Sequence, residues 1–223
     1  MRILSIDDGI INLALVYAEI TDKFVLEKII EIHLIDITQY QHCSCKRFDH
    51  GKTISNYMKH LFYEYDYLFN SDIIIVELQP LTGLIVVEQI ICYEYPKTIR
   101  VSPRSMHNYF HINIYDYNER KIKTVEIADK YLNIFENYNE ITRKHDLADA
   151  LCILLYFLQN KAESLYLDKV SLDISLERDK VLAIEKSDPF YNNLFKDFIY
   201  GSSGSPNELF SKFIYKKLKK KPF

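Results

Sequence analysis

Four acidic residues stand where a folded chain could gather them. Asp7 ends the apolar run RILSID, Glu77 ends the run DIIIVE, and Asp146 and Asp149 lie three apart at the head of a long apolar stretch. If the two runs are neighbouring strands, their carboxyl ends deliver Asp7 and Glu77 to the edge where α/β sheets build their sites. A spacing of three puts Asp146 and Asp149 on one side of a helix. Carboxylate oxygens suit hard divalent cations, Mg²⁺ first and Mn²⁺ as a substitute. Two such ions roughly 3.5–4 Å apart stabilise both the attacking and the leaving oxygen of an in-line displacement at phosphorus. Four carboxylates crowded together without cations would raise one another's pKa by repulsion. The set therefore predicts a two-ion, phosphodiester-hydrolysing centre with Asp7, Glu77, Asp146 and Asp149 as metal ligands and catalytic groups.

Each acid taken alone has a plainer reading. Asp7 precedes Asp8-Gly9, a dipeptide that favours tight turns. Asp146 could cap its helix, and Asp149 could complement the helix dipole from the first turn. Glu77 resists this treatment, because it follows Ile-Ile-Ile-Val and an unpaired charge next to a buried strand is costly.

The elements needed to position the four are legible in the chain. Residues 2–7, 13–20 and 24–36 read as three strands with short connections, an antiparallel meander. Residues 38–51 read as a polar loop. Residues 52–69 place Ile54, Tyr57, Met58, Leu61, Phe62, Tyr65 and Leu68 at helical spacing. A buried strand is expected over 72–78, an apolar helix over 81–94 and a strand over 97–101. Ser102-Pro103 opens a short helix as cap and first position. Helices over 119–135 and 146–159 follow. Three antiparallel strands and then alternating helices and strands make a mixed α/β sheet of about five strands with helices on both faces. Residues 1–160 form this core. Residues 161–223 read as an appendage of one or two helices, a joint at GSSGSP (201–206) and a basic helical end.

Composition narrows the function classes. Five glycines in 223 residues argue against glycine-rich nucleotide-binding loops, including those of a two-lobed sugar-kinase or actin-like ATPase. The net charge is −3, but five lysines crowd the last eight residues, and residues 1–215 hold 23 basic against 31 acidic side chains, a balance of −8. A polyanion must then be met by local basic patches, by the tail, or through bound cations. Eighteen tyrosines and thirteen phenylalanines supply core and stacking surface alike. Cys43, Cys45, Cys92 and Cys152 form no disulfide framework. His42, Cys43, Cys45 and His50 have the residue types of a zinc site, yet Cys-x-Cys is tighter than finger spacing and no second cysteine pair follows. The chain enters a strand at once and holds no apolar stretch long enough to span a membrane, so an intracellular location is expected.

Three blocks resemble a known family. Asp7-Asp8-Gly9-Ile10-Ile11-Asn12 resembles the D-x-G-x-x-N opening of RuvC-type Holliday-junction resolvases. Val76-Glu77-Leu78-Gln79 resembles their second block, and His145-Asp146-Leu147-Ala148-Asp149-Ala150 their terminal D-x-x-D-A helix start. Val101-Ser102-Pro103 resembles the segment between. The poxvirus-like branch of large DNA viruses is the nearest in kind, over residues 1–160. The resemblance implies a ribonuclease-H-like fold, a homodimer, four-way junctions of DNA as substrate, paired symmetric nicks and dependence on Mg²⁺. It also implies a site of action in the cytoplasmic viral factory or the nucleus of a host cell. The family pattern departs at Asp8, which is acidic, and at the QPLTG segment after Glu77.

Basic residues flank these blocks: Arg100 and Arg104 beside the Ser-Pro turn, Lys121 and Lys123 on the following helix, Arg143 and Lys144 before Asp146. They are candidates for DNA phosphate contacts, with a solvated helix face as the plain alternative. His145 could tune a metal-bound water or serve as a hydrogen-bonded structural residue. The apolar helix 81–94 is either fully buried or a dimer contact. A catalytically silent module that binds structured DNA and a ribonuclease for RNA/DNA hybrids are the competing functions.

Overall fold

A computed structural model describes residues 1–48, 51, 53–80 and 85–187, with side chains as far as Leu165. The glycine-serine joint and the lysine-rich end lie outside the described residues. Met1–Leu165 forms one compact unit, and a second begins at Tyr166.

The first unit is built on strands β1 (Arg2–Asp7), β2 (Leu13–Ile20), β3 (Leu26–Ile35), β4 (Ile73–Glu77) and β5 (Ile99–Val101). They form one sheet in the order β3-β2-β1-β4-β5. The first three pair antiparallel, while β4 pairs parallel with β1, and β5 parallel with β4. This is the mixed five-stranded sheet expected from the sequence. Between β3 and β4 lie a 3-10 helix (Ile37–His42), α1 (Ile54–Glu64) and α2 (Asp66–Phe69); then come α3 (Ile85–Glu94), α4 (Pro103–Tyr109), α5 (Tyr117–Leu132), α6 (Glu136–Glu140) and α7 (Lys144–Ser187).

The period-2 alternation of β1 and β4 divides the core in two. Ile3 and Ile75 face one side, where they meet Ala128 and Leu132 of α5 and Leu147, Ala148, Ala150 and Leu151 of α7. Leu4, Ile6, Ile74 and Val76 face the other, against Met58 and Leu61 of α1 and Val87 and Ile91 of α3. Ser5, on the first side, donates from Oγ to the carbonyl of Ala150 at 2.7 Å, which pins α7 across β1. The alanines of α7 allow that approach, since they put no bulk between helix and strand.

Four details differ from the sequence reading. Part of the expected polar loop is the 3-10 helix, nucleated by Asp36, whose carboxylate accepts from the Thr38 N–H at 2.9 Å. The single helix expected over 52–69 breaks at Tyr65 into α1 and α2. The loop around Tyr138 contains the short α6, and Tyr138 itself is fully buried. Finally, α7 does not stop near 159 but runs to Ser187, through a segment with neither glycine nor proline to end it.

Candidate metal centre

Parallel pairing sets the site. The register of β1 on β4 matches Ile6 with Val76, so the next residues, Asp7 and Glu77, end adjacent strands side by side. Both occupy positions that alternate onto the α7 side. Asp149 lies on the first turns of α7, whose place over β1 is held by Ser5 and Ala150. The carboxyls of Asp7 and Glu77 are near enough that each shifts the other's pKa. Asp7 is pushed well above the usual carboxylate range, by burial first, then by Glu77 and Asp149, with Lys121 acting in the opposite sense. Glu77 is raised by burial and by Asp149, while the neighbouring Asp7, the charge of Lys121 and a hydrogen bond from Gln79 hold it back. Gln79 Nε2 donates to Glu77 Oε2 at 3.0 Å.

Lys121 reaches into this group from α5 and pairs with Asp149. Burial works against its charge, but Asp149 and then Asp7 more than offset it and raise its pKa. The Lys121 ammonium is thus the positive charge that Asp149 holds and that Asp7 and Glu77 feel. Asp7, Glu77 and Asp149 supply hard oxygen donors with too little positive charge of their own, which fits a divalent cation. Asp146, one turn before Asp149, is held differently: Arg143 Nε lies 3.1 Å from Oδ2, and His145 Nε2 lies 3.4 Å from Oδ1.

Two acids enter the picture that sequence reasoning passed over. Asp8 alternates to the other side of β1. Among the described residues neither of its carboxylate oxygens has a hydrogen-bond partner, and burial followed by Glu77 and Glu88 lifts its pKa to about 9. Glu88, on α3, is 2% exposed. It accepts from the Gln79 N–H at 2.8 Å and pairs with Arg100 Nε at 2.6 Å. The signal for Glu88 was its isolation in the apolar stretch LIVVEQII; Asp8 was hidden by the turn reading of Asp-Gly. That turn has its own steric reason. A Cβ on Gly9 would stand 2.5 Å from the Asn12 carbonyl oxygen, so only glycine lets the chain fold back on itself there.

The basic candidates divide. Lys121 lies within the acid group, Arg100 on Glu88 and Arg143 on Asp146. Lys123 pairs with Glu126 on the exposed side of α5. Lys144 lies over the Tyr138 ring at 4.6 Å, and Arg104 is exposed on α4.

Comparison with known proteins gives the family and the fold. The family model of the poxvirus A22 protein matches residues 1–161. The fowlpox virus resolvase, solved with its substrate Holliday junction DNA, is similar in structure: 19% identity, TM-score 0.52, covering 72% of this chain and 98% of that one. The yeast mitochondrial Holliday junction resolvase gives 17% identity and TM-score 0.51 over 73% of this chain and 80% of that one. A search of curated protein sequences returns no match. With the family model spanning the whole sheet and the start of α7, the chain belongs to the poxvirus A22 protein family, and its fold is the ribonuclease-H-like fold of RuvC-type resolvases.

Proposed function

We propose that this chain is a structure-specific endonuclease that resolves four-way DNA junctions by paired, symmetric, metal-dependent nicks. The observation that carries the reading is the pair Asp7 and Glu77 at the carboxyl ends of adjacent parallel strands, with Asp149 of α7 near enough to raise both, in a member of the A22 family. Asp7, Glu77 and Asp149, with Asp146 beside them, would hold two Mg²⁺ ions. Such ions supply charge stabilisation for the attacking water and the leaving oxygen when bound. Glu77 is oriented by Gln79, and Ser5 fixes the helix that presents Asp149. Lys121 balances Asp149 and is placed to meet a phosphate oxygen once the carboxylates are otherwise engaged. Arg100, Arg104, Lys123, Arg143 and Lys144 are the proposed contacts along the junction arms.

Two nicks related by a two-fold axis are most simply made by a C2 dimer. The half-buried α3 supports one. Val87 and Ile91 face the core, while Val86 and Tyr93 stand 43% and 85% exposed beside Tyr63 of α1. No helix among the described residues is long and apolar enough to cross a membrane. The proposed place of action is the viral factory or nucleus of an infected cell.

Labelled four-way junction, duplex, flap and RNA/DNA hybrid, each with Mg²⁺, Mn²⁺ or EDTA, test the reading. Symmetric nicks in opposing strands of the junction, lost in EDTA, are expected. Binding without cleavage would leave a silent DNA-binding module, and preferential cutting of the hybrid would make the chain a ribonuclease.

A further inference from the structure

On the α1 side of the sheet, away from Asp7, three softer donors come together. Cys43 ends the 3-10 helix in an extended conformation, its N–H donating to the Tyr40 carbonyl at 3.2 Å. The N–H of Cys45 donates to Cys43 Sγ at 3.4 Å. Cys45 Sγ lies 3.7 Å from His60 Nδ1. One donor atom from each of Cys43, Cys45 and His60 lies within 4.8 Å of the others. Neither cysteine is in a disulfide.

We propose that Cys43, Cys45 and His60 bind a zinc ion. Tetrahedral zinc with bonds of about 2.3 Å to sulfur and 2.0–2.1 Å to nitrogen has a sulfur–nitrogen edge of about 3.6 Å and a sulfur–sulfur edge of about 3.8 Å. The 3.7 Å between Cys45 Sγ and His60 Nδ1 already has that length. The Cys45 N–H that donates to Cys43 Sγ holds the two cysteines of the tight turn together beside His60. The His60 ring is held in place before any ion arrives: it is 5% exposed, stacked on Tyr40 at 5.3 Å and met edge-on by Phe48 at 5.0 Å. Tyr40 is anchored in turn through its hydroxyl, which donates to Glu64 Oε2 at 2.8 Å. Thiolate and imidazole select zinc over Mg²⁺, as the carboxylates of the other site do the reverse, so the two sites do not compete for one ion.

Three side chains fill three of the four positions that zinc takes. Of the histidines that the sequence offered, His42 is exposed and outside the group, and His50 lies outside the described residues. His60 takes their role from α1. The ion would close the connection between the 3-10 helix and α1, which carries Lys46 and Arg47, the latter over the Tyr63 ring at 4.3 Å. Closing such a loop turns metal-binding energy into folding energy.

The test uses the full chain, reduced, stripped of metal and titrated with Co²⁺ in millimolar Mg²⁺. A thiolate-to-cobalt charge-transfer band saturating near one equivalent, and bleached by Zn²⁺, is expected; carboxylate-bound cobalt gives no such band. Cys43→Ser and Cys45→Ser should each weaken Co²⁺ binding at least about tenfold, a loss of about 1.4 kcal/mol or more. Both side chains are partly exposed, so these variants should fold. Asp7→Asn should retain the band, which separates this site from the nuclease centre. A reduced chain without the band overturns the proposal. So does a band that survives in the Cys43→Ser/Cys45→Ser double variant, or a Cys43–Cys45 disulfide that forms where metal should bind.

Discussion

The acids of the first core illustrate what spacing can and cannot announce. Asp7 and Glu77 were visible because each ends an apolar run, and adjacent parallel strands did bring them together. Asp149 acts on both electrostatically, and Lys121, read from the sequence as a phosphate contact or a solvated helix face, pairs with Asp149. Asp8 and Glu88 were not visible, since their burial follows from how α3 packs under β1 and from strand alternation. Asp8 also carries a stability prediction. Its proton is lost near 3.8 in an ordinary environment but is held to about 9 in the fold. The stability tied to the protonated form is therefore complete below 3.8 and drains away as pH rises towards 9. In EDTA, Asp8→Asn should raise the melting temperature at about pH 8 by roughly 2–12 °C, as expected for about 1–3 kcal/mol in a chain of this size. The gain should shrink towards pH 4. Thermal melts across pH check it, and a variant no more stable than the parent at pH 8 would show that Asp8 is solvated or paired after all.

At the scale of elements, hydrophobic periodicity located all five strands and most helices, because each face of the sheet is buried by its own layer. What it could not give was the interruption at Tyr65, the 3-10 turn made by Asp36, or the length of α7, which depend on local capping and on the absence of breakers. Similarly, nothing in the sequence spacing links His60 to the Cys-x-Cys pair; only folding carries it to Cys45. The β1–β2 turn is sensitive to a single added atom. Gly9→Ala would put a methyl group 2.5 Å from the Asn12 carbonyl oxygen, backbone that cannot swing aside. The expected loss is about 1–3 kcal/mol, measured by urea unfolding, with cleavage falling as well because Asp7 lies two residues away. Stability equal to the parent's would mean that the turn has another conformation within reach.

For the whole molecule, the predictions concern assembly and charge. Val86 and Tyr93 form the exposed apolar edge of α3. Val86→Glu/Tyr93→Glu should turn a dimer into a monomer by light scattering and reduce paired nicking more than junction binding. A monomeric parent at micromolar concentration, with and without DNA, would contradict the dimer. The lysine-rich end offers five charges to a polyanion although residues 1–215 are acidic. Deleting residues 216–223 should weaken binding to all DNA forms alike and flatten its salt dependence, with the cleavage position unmoved. An unchanged salt slope would assign the lysines another role. Beneath both lies the claim that the carboxylates at adjacent strand ends perform metal-dependent cleavage. Its most direct measurement is single-turnover cleavage of a saturating four-way junction by Asp7→Asn and Glu77→Gln in Mg²⁺, with binding followed in parallel. Losing a ligand to ions that contribute several kcal/mol should slow the nick by roughly 10²-fold or more while junction affinity stays within a few-fold of the parent's. Cleavage at the parental rate by either variant would contradict the account.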